Sequence, residues 1–343
     1  MADYAFLVRP ALNTVYARAS VQLLQAELKV LDAAVGVGFS RVAEAMRGGV
    51  PYIGFSADHL EDRTIRFLSN LSAIYALFEV QGDTLRPIEL QPLDRFPDDL
   101  ITIQKYRGKT NERFTKLLLN VTILSTTDPG AMLDRKLRVL DPLCGRGTSL
   151  NQALVYGYDV AGIEIDKAEC EAYARFLATY LKRGRIKHTM RRSTIRQAKR
   201  IVGERVDVEL GVTKERYTAG DVNRVVVING ETSLARQFFR PSTFDVVVAD
   251  LPYGVRHGSR AGEGRLSRRP LDLLADALPV WVEVLRSGGA IGLAWNTRVA
   301  ARDKVVRAIA DYDLDVLTVD PYLAFRHVVD QAITRDIIVV RKR

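Results

Sequence analysis

A chain of 343 residues, 47% hydrophobic and 27% charged, has material for one large or two ordinary globular domains, each burying its own core. It has no run of eighteen apolar residues, and Met1-Ala2-Asp3-Tyr4 carries no basic stretch ahead of an apolar one, so neither a membrane span nor a secretion signal is expected. Cys144 and Cys170 are too few for a disulfide framework or a zinc cluster, and His59, His188 and His327 show no ligand spacing. No metal and a reducing cytoplasm are the expectations. The net charge of +9 is uneven: residues 1–100 hold 9 Lys+Arg against 13 Asp+Glu, and residues 101–343 hold 41 against 28. A polyanionic partner would therefore meet the C-terminal part.

Residues 1–90 read as one α+β unit. Tyr4–Arg9 suggests a strand, and Val21, Leu24, Leu28 and Leu31 form the apolar stripe of a helix begun near Asn13 or Ser20. Gly48-Gly49 between Ser40–Arg47 and Val50–Ser56 signals a hairpin. A second helix capped by Asp58, then strands at Tyr75–Val80 and Leu85–Leu90, complete a β-α-β-β-α-β order, that of a ferredoxin-like fold. With no titratable cluster, an accessory or RNA-binding role is expected.

Residues 91–110, with prolines and acids near their start, are expected to link this unit to a second domain over 111–343. Lys105-Tyr-Arg-Gly-Lys-Thr-Asn-Glu112 lacks the earlier glycine of a phosphate-binding loop, so Thr110 or Asn111 is read as a helix cap and the basic residues as surface. Lys136–Leu140 should be a strand ending in Asp141-Pro-Leu-Cys-Gly-Arg-Gly-Thr148, with a helix from Ser149. Gly145 and Gly147 permit a tight turn and a close approach of ligand to backbone. Leu150 stands where a dinucleotide fingerprint needs its third glycine. Asp159–Ile165 is a second strand with Glu164 at its end, near the spacing at which an acid binds ribose hydroxyls. Asp221 of Ala219-Gly-Asp-Val222 is a further acid read as ending a strand. Acids at successive strand ends, alternating with helices, describe a doubly wound sheet for a nucleoside without pyrophosphate, such as S-adenosylmethionine.

Between these elements lies a basic insertion near 182–217. Lys182–Arg205 holds ten Lys+Arg against Glu204, and its few aliphatic positions predict poor burial. Arg191, Arg192, Arg196 and Arg200 are its candidates for contact with phosphate.

Phe244-Asp-Val-Val-Val-Ala-Asp-Leu-Pro-Tyr-Gly254 has the continuous apolar run of a strand buried on both faces. Asp250 sits at the strand's end and Pro252 stops the ladder. Asp250 and the Leu251 carbonyl can accept the hydrogens of a ring-borne amine while Tyr253 stacks on the ring. Gly254–Arg269 follows, rich in glycine and arginine, with Arg256 and Arg260 as further phosphate candidates of a lid or clamp. A helix through Trp281, a strand at Ala290–Asn296 and a closing pair at Asp315–Val319 and Asp336–Arg341 finish the chain.

Asp141-Pro-Leu-Cys-Gly-Arg-Gly-Thr148, Glu164, Gly220-Asp221 and Asp250-Leu-Pro-Tyr-Gly254 together resemble the class I S-adenosylmethionine-dependent amino-methyltransferases. Within them the chain is most similar to the THUMP-associated tRNA guanine-N2 methyltransferases, over roughly residues 100–343. Leu251 replaces the proline of many amino-methyltransferases, and the N-terminal part is shorter than a full THUMP domain with its partner. The resemblance implies a Rossmann-like sheet with an antiparallel last strand. It implies a loop from Asp141 through Cys144, Gly145, Gly147 and Thr148 around the methionine end of the cofactor. Glu164 and Ile165 would meet its ribose, Asp221 and Val222 its adenine, and Asp250, Leu251, Pro252 and Tyr253 the target base. The expected activity is methylation of the exocyclic N2 amine of a guanosine in tRNA or another structured RNA, by a monomer. A DNA adenine-N6 methyltransferase and a catalytically silent RNA-binding protein are the rivals.

Overall fold

The computed structural model describes residues 1–10, 14–253 and 270–343, with the side chains of 14–18 also outside the description. Gly254, Arg256, Arg260 and the remainder of the expected lid lie outside the described residues.

The first unit contains β1 (Ala2–Val8), α1 (Thr14–Val35), β2 (Ser40–Arg47), β3 (Val50–Ala57), α2 (Asp62–Leu68), β4 (Ile74–Gln81) and β5 (Thr84–Ile88). Its sheet order is β2-β3-β1-β4-β5, every pair antiparallel. Without β5 this is the expected ferredoxin-like arrangement; β5 adds an edge by a hairpin over Gly82-Asp83. Helix α2 starts at Asp62 behind Glu61, later than Asp58 suggested, and ends before Leu71.

The expected link does not run through solvent. Phe96, Leu100 and Ile101 are buried, and α3 (Asp99–Thr102) forms within it. Helix α4 (Glu112–Leu124) follows, capped by Asn111, whose side chain accepts from the Arg113 and Phe114 amides. Ten of its residues are buried because it has the first unit on one side and the second sheet on the other. Asn120 on α4 donates to the fully buried Glu27 carboxylate over 2.7 Å, and Ser72 closes the same network. Burial raises the Glu27 carboxyl above its ordinary range, and these donors hold it down.

Next come α5 (Ala131–Asp134), β6 (Arg138–Asp141), α6 (Thr148–Val155), β7 (Asp159–Glu164), α7 (Lys167–Arg183), β8 (His188–Gln197) and β9 (Arg200–Leu210). They continue into α8 (Lys214–Thr218), β10 (Asn223–Asn229), α9 (Ala235–Phe238), β11 (Phe244–Asp250), α10 (Pro270–Val284) and β12 (Leu285–Asn296). The described chain closes with α11 (Arg302–Ala310), β13 (Leu314–Val316), β14 (His327–Val328) and β15 (Thr334–Lys342). The ten described strands of this sheet run β13-β15-β12-β11-β6-β7-β10-β9-β8, with β14 beside β15. Strands β10, β7, β6, β11 and β12 are mutually parallel. Strand β15 is antiparallel between β12 and β13. This is the Rossmann-like methyltransferase sheet with its reversed last strand. Chain order reverses between β6 and β11, so the crevice at their carboxyl ends is where such a sheet takes a ligand.

The basic insertion has regular structure. It is the β8–β9 hairpin, turning at Ala198 and Lys199 in the left-handed region, with β9 paired to β10. Poor burial was the correct expectation for β8, an exposed edge strand, but β9 buries Val208 and Leu210.

Candidate active site

Three acids meet at the carboxyl ends of adjacent strands: Glu164 on β7, Asp141 on β6 and Asp250 on β11. Asp141 is 4% exposed and accepts from the Leu143 amide over 3.0 Å. Burial first, then the negative charges of Asp250 and Glu164, push its carboxyl up to about 7. Glu164 accepts from the Gly145 amide at 3.0 Å and the Asp166 amide at 2.8 Å, which tie its carboxylate to the glycine loop. Burial raises its pKa despite those bonds.

The two glycines of the loop differ. Both have positive φ, but a Cβ at Gly147 would strike the Tyr173 ring at 2.4 Å, whereas one at Gly145 would meet nothing within 4 Å. Gly147 therefore serves packing, and Gly145 leaves backbone open to a ligand. Ile165, beside Glu164, is 40% exposed, an apolar surface next to that carboxylate.

Cys144 must be corrected. Its side chain is 5% exposed, its amide donates to the Ile163 carbonyl, and its carbonyl accepts from the Gly147 amide. Burial keeps the thiol protonated far above its ordinary range. Its side chain packs under the loop. Thr148, at the start of α6, shares a 2.8 Å hydrogen bond with the Tyr106 hydroxyl.

Asp221 and Val222 must also be corrected. Gly220, at positive φ, ends the turn after α8, and β10 begins only at Asn223. Asp221 pairs with Lys136 and Arg216, and the Val222 carbonyl accepts from Lys136, which precedes β6. Both residues thus lie at the amino ends of the strands, across the sheet from the site. At the carboxyl end of β10, Asn229 pairs in register with Glu164, and the Gly230 amide donates to the Glu164 carbonyl. Glu231, exposed, follows there.

Asp250 is held from two sides. The Thr110 hydroxyl donates to Oδ2 at 2.7 Å, and the Tyr253 hydroxyl donates to Oδ1. The Leu251 amide donates to the Ala294 carbonyl of β12, fixing the strand end, and its side chain is buried. The Tyr253 ring is in contact with the Arg335 guanidinium, 5.1 Å from its centroid. The turn at 105–112, whose basic residues the sequence places on the surface, therefore closes one wall of the site through Tyr106 and Thr110. Tyr106 takes the Arg146 guanidinium over its ring at 4.9 Å, and Arg146 is paired to Glu169. Lys109 is largely buried, its ammonium bonded to the Ile101 and Gln104 carbonyls and to Glu112.

The hairpin reaches the same edge. Glu204 on β9 lies level with Asn229 and Thr194, so residues 195–203 extend past the sheet's carboxyl edge, about 10 Å at strand rise. Arg196 and Arg200 occupy that projection, both exposed; Arg191 and Arg192 lie in the paired body on opposite faces.

The strand order is that of the Rossmann-like methyltransferase sheet. Residues 128–290 match the family model described as UPF0020, RMKL-like methyltransferase domain. Among solved structures, the chain is similar to an rRNA methylase of Streptococcus thermophilus, with 10% identity, 69% of this chain and 99% of that chain covered, and TM-score 0.36. It is also similar to a putative RNA methyltransferase of Pyrococcus horikoshii, with 17% identity, coverage of 72% and 90%, and TM-score 0.38. A putative methyltransferase of Streptococcus mutans in complex with SAH gives 12% identity, coverage of 62% and 91%, and TM-score 0.36. No curated protein matches the sequence. Over residues 128–290 the chain matches a methyltransferase domain, and the cofactor is S-adenosylmethionine.

The residues fit that group. Its sulfonium and ammonium are cationic, and the approach of such a charge favours the ionised form of the buried Asp141 carboxyl. Gly145 leaves room for it, and Ile165 offers apolar surface.

Proposed function

We propose that the chain is an RNA methyltransferase acting on the exocyclic N2 amine of a guanosine in tRNA. The observation that carries this reading is Asp250, a carboxylate at the switch point of the sheet, oriented by the Thr110 and Tyr253 hydroxyls. In its support, the basic hairpin projects beyond the same edge. Asp141 and the Gly145 backbone receive the methionine end of the cofactor, Glu164 the ribose hydroxyls and Ile165 one face of the adenine. Gly230 and Glu231, at the end of β10, take the place first given to Asp221 and Val222.

When bound, S-adenosylmethionine supplies an electrophilic methyl group on a sulfonium. Asp250 and the Leu251 carbonyl accept the two amine hydrogens, drawing the nitrogen lone pair out of conjugation with the ring. Once nitrogen has its fourth bond, Asp250 takes the surplus proton and passes it to solvent. Orientation and local electrostatics carry the rate. Pro252 stiffens the turn that presents Tyr253 to the base. Residues 1–90 form the accessory RNA-binding domain and residues 111–343 the catalytic one, with Arg191, Arg192, Arg196, Arg200, Arg256 and Arg260 on the RNA side.

The test is methyl transfer to unfractionated tRNA from a strain lacking the gene, read as modified nucleosides by mass spectrometry. N2-methylguanosine supports the reading. N6-methyladenosine in duplex DNA, or no transfer with intact cofactor binding, overturns it.

A further inference from the structure

Arg335 stands out among the described residues. It opens β15 and pairs in register with Asn296 at the carboxyl end of β12, two strands from Asp250. It is 4% exposed, yet it forms no ion pair with any described residue, and its Nε has no hydrogen-bond partner among them. Its guanidinium lies between two rings, 4.3 Å from the Phe114 centroid and 5.1 Å from that of Tyr253. Cation–π contact with both rings lets the charge remain buried without a carboxylate. One of its N–H groups meets the Tyr253 hydroxyl, but Nε is still a donor that needs an acceptor.

Arg335 also lines a cavity of about 280 Å³ together with Thr110, Asn111, Val328 and Val329, with Lys109 and Glu112 at its wall. Thr110 is the residue bonded to Asp250, so the cavity adjoins the proposed amine site. Lys109 already has three acceptors, so Arg335 is the cation there with donors to spare. A single guanidinium edge beside two valines and the Glu112 carboxylate suits a neutral ring oxygen better than a phosphate.

We propose that Arg335 donates to the O6 carbonyl of the target guanine and so sets its preference over adenine. This deepens the proposed guanine-N2 activity and rests on it. With the amine at Asp250, the same edge of a guanine presents O6, an acceptor, on the far side of N1. Adenine presents no oxygen there, and a guanidinium has no acceptor for its amine. Asp250 is level with Ala294 and Arg335 with Asn296, so the two lie two strands and two residues apart, about 12 Å, with side chains on the same face of the sheet. Tyr253 bridges them here and must turn away for a base to reach both.

The test compares RNA hairpins carrying either guanosine or 2-aminopurine at the modified position, once mass spectrometry of tRNA has located it. 2-Aminopurine keeps the 2-amino group and lacks O6. The parent enzyme should methylate guanosine about 5- to 150-fold faster, the range for a good arginine–base pair. Arg335→Met keeps the packing between the rings and should slow guanosine by that factor while leaving 2-aminopurine unchanged. Arg335→Lys should restore part of the preference. Equal rates of the parent on both bases, or equal losses on both in Arg335→Met, would overturn the assignment. Calorimetry with S-adenosylmethionine checks that each variant is folded. If the parent methylates no guanosine at all, the proposed activity fails and the Arg335 assignment with it. Methylation with an unaltered preference removes Arg335 alone.

Discussion

The Thr110 hydroxyl donates to Asp250 Oδ2 over 2.7 Å, joining positions 140 residues apart in the chain. Thr110 sits one residue before the Asn111 cap of α4, whose far end is bonded to the N-terminal unit through Asn120 and Glu27. A rigid helix thus fixes the orientation of the proposed acceptor carboxylate.

Thr110→Val should lower single-turnover methylation by about 10- to 100-fold, the equivalent of one hydrogen bond to a charged group. Thr110→Ser should keep most of the rate, and cofactor affinity should be the same in both. Asp250→Asn, which offers an N–H where acceptance is needed, should lose about 10²- to 10⁴-fold. A parental rate in Asp250→Asn would remove the strand end from the mechanism.

Asp141 predicts a pH dependence. Its carboxyl is held up to about 7, and the approach of a cation lowers that value. Cofactor binding should therefore tighten as pH rises through 7 and release a proton. The same shift destabilises the free protein as pH rises: this contribution to stability is complete below the ordinary carboxylate pKa and lost through about 7. Calorimetry in buffers of different ionisation enthalpy measures the proton release. Asp141→Asn should abolish it, and a pH-independent affinity in the parent would show that Asp141 does not face the cation.

These residues differ in how far the sequence revealed them. Val246–Ala249 is apolar throughout, so the strand and the acid ending it were readable directly. The same reasoning applied to Val225–Ile228 would have pointed to Gly230 and Glu231, but the Gly-Asp pair at 220–221 drew attention one strand too early. A glycine-acid turn before a strand and one after it look alike until pairing is known. Thr110 was read as a cap because its partner lies far away in sequence. Arg335 was unreadable for a related reason: its neighbours Phe114 and Tyr253 come from two other elements. In the basic insertion, turn residues Ala198 and Lys199 carry no ordinary hairpin signal, so the charge was visible and the two strands were not.

Glu164→Ala should weaken S-adenosylmethionine binding by about 1.5–3 kcal/mol, the scale of hydrogen bonds to a charged group. Because Glu164 also holds the Gly145 amide, the glycine loop should loosen in the same variant. Faster exchange of the Gly145 amide hydrogen would register this. Unchanged affinity in a folded variant would remove Glu164 from the cofactor site.

Replacing Arg191, Arg192, Arg196 and Arg200 by Gln should weaken RNA binding and leave cofactor affinity as it is. Arg200 pairs with Gln197, so Arg191 and Arg200 share one face of the hairpin and Arg192 and Arg196 the other, and at most two of the four can follow one phosphate chain. The slope of log affinity against log salt should then fall by about 1.4–1.8. One same-face pair, Arg192 with Arg196 or Arg191 with Arg200, should account for most of that change. An unaltered slope would make the hairpin a solvated edge.

Tyr253 has two contacts that its variants can separate. Its hydroxyl donates to Asp250 Oδ1, and its ring covers the Arg335 guanidinium. The hydroxyl therefore competes with the substrate amine for the carboxylate and must turn away when a base enters. Tyr253→Phe keeps the ring and removes the competitor, so base affinity should match the parent's or exceed it, with the rate preserved. Tyr253→Ala removes the ring and should cost about 1–3 kcal/mol of stacking on the base. It also uncovers one face of Arg335, so any preference for guanosine over 2-aminopurine should weaken with it. Single-turnover methylation across a range of RNA concentrations separates the two effects, because affinity moves the half-saturation point and chemistry moves the plateau. If Tyr253→Phe loses the plateau while Tyr253→Ala keeps its half-saturation point, the hydroxyl belongs to the chemistry and the ring does not hold the base.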